Sequence, residues 1–62
     1  MTSNNLHNLM TQMVQEHKSL WRIENNYVGE AKTPAEKEFW EKLGNEKKMH
    51  IEALRNLIKE SI

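Results

Sequence analysis

The sequence predicts an all-α chain folded as an antiparallel two-helix hairpin, with helices over about residues 3–28 and 34–60. Three observations carry that expectation. Apolar residues recur at steps of three and four through both halves of the chain. The segment Thr33-Pro34-Ala35-Glu36 restarts a helix near the middle. Two helical stretches of similar length joined by so short a loop must fold back on each other. At 62 residues there is room for one domain, spanning residues 1–62.

The first helix is expected to begin among Thr2, Ser3 and Asn4, each of which can accept a hydrogen bond from an orphan N–H of the first turn. Its seam runs Leu6, Met10, Met13, His17, Leu20, Glu24, Tyr27 and Ala31, widened by Leu9, Val14, Trp21 and Val28. Gly29 offers a left-handed closure without steric cost. In the second helix Thr33 suits the cap, Pro34 the first helical position, and Glu36 the return arm of a capping box. From there Phe39, Leu43, Glu46 or Lys47, His50, Leu54 and Leu57 keep one phase to the C-terminus. That phase continues through Gly44-Asn45 without a stutter, so an unbroken helix is expected despite about 1 kcal/mol for the internal glycine.

Composition narrows the function classes. Nine Lys and Arg balance nine Glu for a formal net charge of zero, which leaves no basic footprint for nucleic acid and no cationic face for anionic lipid. No apolar run approaches the length of a membrane span or a signal peptide, which gives the expectation of a cytoplasmic protein. With no cysteine, the chain has neither a disulfide staple nor a thiolate zinc site. A chain this short buries only about 60% of its unfolded surface. Both helices also carry apolar arcs wider than one contact covers. A homodimer or larger even oligomer, two hairpins forming a four-helix bundle, is therefore expected, with Leu20, Trp21, Tyr27, Phe39, Trp40 and Leu43 at its interface.

Four polar residues interrupt the seams: His17 and Glu24 on the first helix, Glu46 and His50 on the second. Antiparallel pairing about a turn near residue 31 sets His17 level with residues 45–48, between Glu46 and His50, which share a face at i,i+4. Imidazole and carboxylate together suit iron, manganese or zinc, so His17, Glu46 and His50 form a candidate metal set, with Glu16 or Glu24 able to complete it. The plain alternative is a set of seam residues hydrogen-bonded to their neighbours. A third possibility is an interface that loosens when the seam histidines become charged. No phosphate loop, GxSxG, HExxH or cysteine nucleophile is present, so no catalytic residue is assigned.

Residues 16–58 resemble the helical hairpin of the ferritin-like superfamily, in particular its short rubrerythrin-type and encapsulated-ferritin halves. The resemblance rests on Tyr27 with Gly29-Glu30-Ala31, then Phe39-Trp40-Glu41-Lys42-Leu43, then the stretch from Glu46 through His50 to Leu54. It implies a four-helix fold and a di-iron site. Carried over by position, the metal-binding His falls on His50, but the two expected carboxylates fall on Leu20 and Lys47. The leading expectation is thus a structural or protein-interaction module with no cofactor. The alternative is an iron-binding or iron-storage protein with a shifted His/Glu site.

Overall fold

The computed structural model describes residues 2–62, with side chains from Asn4 onward, so the expected capping roles of Thr2 and Ser3 lie outside the described side chains. The described residues are all-helical in two runs. The first comprises α1 (Thr2–Arg22), a π-helical turn (Ile23–Tyr27) and α2 (Val28–Glu30); the second is α3 (Pro34–Ser61). Asn4 lies inside α1 and does not cap it. The runs meet in opposite senses, Glu16 against Lys47 and His50, Ile23 against Gly44, and Tyr27 against Trp40, in a rod of 46 × 14 × 13 Å.

The restart at Pro34 forms as its residues dictate. Thr33 Oγ1 accepts from the Glu36 N–H at 3.1 Å, and Glu36 Oε1 accepts from the Thr33 and Lys32 N–H groups at 3.1 and 2.7 Å. Three backbone N–H donors are thereby satisfied at one helix end. Ahead of it the chain leaves α2 through an extended Ala31 (φ −62°, ψ 134°) and an extended Thr33, the conformation a residue before proline prefers. The expected left-handed closure at Gly29 does not occur: Gly29 is helical, and no described residue has a positive φ. The glutamate of the capping box holds the loop instead. Helix α3 runs through Gly44-Asn45 unbroken.

At half of their positions both seams lie one residue away from the expected ones. On the first run the inward positions are Leu6, Leu9, Met13, Glu16, Leu20, Ile23, Val28 and Ala31, while Met10, His17, Glu24 and Tyr27 are exposed. The two seams share Leu6, Met13, Leu20 and Ala31. Between these, turning Leu9 and Ile23 inward in place of Met10 and Glu24 gains aliphatic burial, at the cost of drawing in Glu16. On α3 the inward positions are Trp40, Leu43, Gly44, Lys47, Ile51, Leu54 and Ile58, while Phe39, His50 and Leu57 are exposed. The shift brings in Ile51 and Ile58. It also sets Gly44 against α1, where a Cβ would stand 3.4 Å from Ile23 Cγ2 and 3.6 Å from Leu20 Cδ1.

The π turn was not legible in the apolar pattern. Its bonds reach one residue further than α-helical ones, as in Val28 N–H to the Ile23 carbonyl. The Asn25 side chain donates to the Trp21 carbonyl at 2.9 Å. Its effect on phase is direct. Continuing as an α-helix from Ile23, the seam would take Tyr27 and Glu30; with one additional residue it takes Val28 and Ala31, and Glu30 stays in solvent.

Candidate functional site

Glu16 is the buried polar residue of the described chain, 6% exposed on the α1 face that meets α3. Three side chains satisfy it. Lys47 Nζ donates to Oε2 at 3.1 Å, Gln12 Nε2 to the same oxygen at 3.3 Å, and His50 Nδ1 lies 2.7 Å from Oε1. Burial by itself raises the Glu16 pKa, but the hydrogen bonds from His50 and Lys47 and their attraction outweigh it. The carboxyl is held below its ordinary value. An ionised carboxylate only accepts, so His50 Nδ1 carries the hydrogen. No described buried side-chain nitrogen or oxygen lacks a partner.

The helices supply this cluster by spacing. Gln12 and Glu16 are one turn apart on α1, and Lys47 and His50 are i,i+3 on α3, so both pairs project toward the same point. Lys47 reaches in along its aliphatic stem from a half-buried position while His50 closes the cluster from the rim. Chemically the arrangement neutralises and locks. It fixes the register of two helices and places no nucleophile beside the imidazole.

No family model, curated protein or solved structure matches the chain. His17 is exposed, Glu24 forms an exposed ion pair with Lys48 at 3.3 Å, and Glu46 is half-buried with no hydrogen bond or ion pair among the described residues. His50 is drawn to Glu16, not to His17. No group of three or more His, Asp or Glu side chains among the described residues is placed to hold a metal ion within the single chain. Reading the seam one residue off put His17 and Glu24 inside. The pairing of Lys47 with Glu16 carries no signal in the apolar pattern, where Lys47 stands only as an alternative to Glu46 on the seam of the second helix.

The expected interface residues divide in two. Leu20, Trp40 and Leu43 are half-buried between the helices, whereas Trp21 and Phe39 are 59% and 58% exposed and Tyr27 lies at the margin. Tyr27 packs on Trp40 at a tilt of 43° with centroids 4.8 Å apart, and Phe39 meets Trp40 edge-on at 5.2 Å, which builds an aromatic cluster at the loop end. No helix among the described residues is long and apolar enough to cross a membrane.

Proposed function

We propose that this chain is a structural or protein-interaction module, an antiparallel helical hairpin that pairs with a second copy into a four-helix bundle. The observation that supports it is the poverty of the single chain's core. Ile23 and Ile51 are its buried hydrophobic residues, while Met10, Val14, Trp21, Phe39, Met49 and Leu57 are exposed. A compact monomer of 7.4 kDa exposes about 4,200 Å² by the usual size scaling. This chain exposes 4913 Å². The excess, about 700 Å², is close to the roughly 800 Å² that each partner contributes to a standard interface. A second copy covers such a surface at no cost in new sequence.

The reading assigns Trp21 and Phe39 to the contact between copies, and Leu20, Tyr27, Trp40 and Leu43 to the layer supporting it. It requires no catalysis and no cofactor. The test is urea unfolding at protein concentrations spanning about a hundredfold. For a dimer whose folding and association are coupled, the midpoint rises with concentration. A midpoint independent of concentration, with a monomer mass in sedimentation, refutes the reading.

A further inference from the structure

Beside the π turn, the seam between the two runs opens on one side into a groove of about 400 Å³. Gly44 forms its floor, Ile23 and Trp40 its walls, and Glu24, Glu41 and Lys48 its rim. Glu24 is paired with Lys48, and Glu41 is in no ion pair among the described residues, so the rim is net negative. One turn back from Glu24, Trp21 projects from α1 with the stems of Lys18 and Arg22 beside its ring. Neither cation is in an ion pair among the described residues. A large apolar knob flanked by two positive charges thus stands next to an open groove rimmed by excess negative charge.

We propose that Trp21 of a second copy fills this groove, reciprocally, so that two copies pair through this face with Lys18 and Arg22 of each against the Glu41 rim of the other. The proposal rests on the dimer reading above and specifies its contact. Knob and groove lie close together on one protomer, which is what a self-complementary two-fold contact needs, because each interaction then occurs twice. The groove has the size of a small-ligand pocket, and its lining sets the apolar Val28 and Trp40 beside the polar Glu24, Glu41 and Asn45, which suits an indole, apolar in its ring and polar at its N–H. Buried Trp, Tyr and Arg anchors carry most of the affinity in protein interfaces.

The test is sedimentation velocity on a dilution series of the full chain. Trp21→Ala and Glu41→Lys are each expected to weaken the dimer tenfold or more, and both residues are exposed in the protomer, so neither change removes core packing. Lys18→Glu with Arg22→Glu weakens it likewise. Combining these two with Glu41→Lys reverses both sides of the contact and is expected to recover most of the affinity, a readout that survives if Trp21→Ala proves too unstable to measure. A dimer whose Kd ignores Trp21→Ala and the charge reversals overturns this contact and leaves the dimer reading standing on another face. A wild-type chain that stays monomeric at about 1 mM overturns both, and leaves the groove to an aromatic side chain of a different protein.

Discussion

Replacing Lys47 with methionine removes one charge from the buried cluster while keeping a stem of similar length between the helices. Glu16 then loses a charge-assisted hydrogen bond, an interaction worth about 1.5–3 kcal/mol. Stripping a buried charge of its sole partner costs about 3–5 kcal/mol. Here His50 at 2.7 Å and Gln12 at 3.3 Å remain, so the expected loss is about 2 kcal/mol. The assay is urea unfolding of Lys47→Met, Glu16→Leu and the double variant at one protein concentration. The double variant replaces the pair by apolar groups and is expected to recover most of the loss, giving an interaction energy of at least about 1 kcal/mol. The pH dependence gives a second check. The folded Glu16 carboxyl titrates below its ordinary 4.5, so its contribution is present above that pH and disappears as pH falls through the folded value. The gap between wild type and Lys47→Met should therefore close as pH is lowered from about 5 toward 2. A loss under about 0.5 kcal/mol, strict additivity in the cycle, or a gap that persists in acid would refute the account of the cluster.

Two further outcomes follow from the backbone. Gly44→Ala places a Cβ at ordinary contact distance from Ile23 and Leu20 in a helical position, so urea unfolding should show a gain of about 0.5–1 kcal/mol; a loss would mean that the helices need closer approach than the contact distances imply. Thr33→Ala removes the cap of α3 and should cost about 1 kcal/mol, with Glu36→Ala comparable because it frees the Lys32 and Thr33 N–H groups; thermal melts monitored by circular dichroism that fail to move would contradict the capping box.

The local signals were the most legible part of this chain. Thr33, Pro34 and Glu36 act within one turn of one another, so their chemistry is complete in the sequence, and the start of α3 was read residue for residue. The continuity of α3 through Gly44 followed from phase in the same way. The seam was harder because its alternatives differ by one residue and both contain apolar side chains. Deciding between Met10 and Leu9, or Phe39 and Trp40, depends on what the opposite helix presents. Burying Glu16 is tolerable only because Lys47, His50 and Gln12 meet it, and two of those come from the other helix. For the same reason the single chain leaves His17 and Glu24 exposed, on the other side of a one-residue choice from the face that meets α3. The π turn depends on phase over the whole length of the contact, which no window of local residues records.

That turn works for the helix as a leap day works for a calendar. A helix advances 3.6 residues per turn, whereas a straight seam of threes and fours advances 3.5, and the mismatch accumulates at about 20° per heptad. Long helical pairs absorb it by coiling around each other. This chain intercalates a residue between Ile23 and Val28 instead, so the count is corrected once, close to the loop, where Ala31 and not Glu30 comes round to face α3. Shortening the first run by a residue at Asn25 or Asn26 would leave a helix of ordinary form and an aromatic end facing the wrong date.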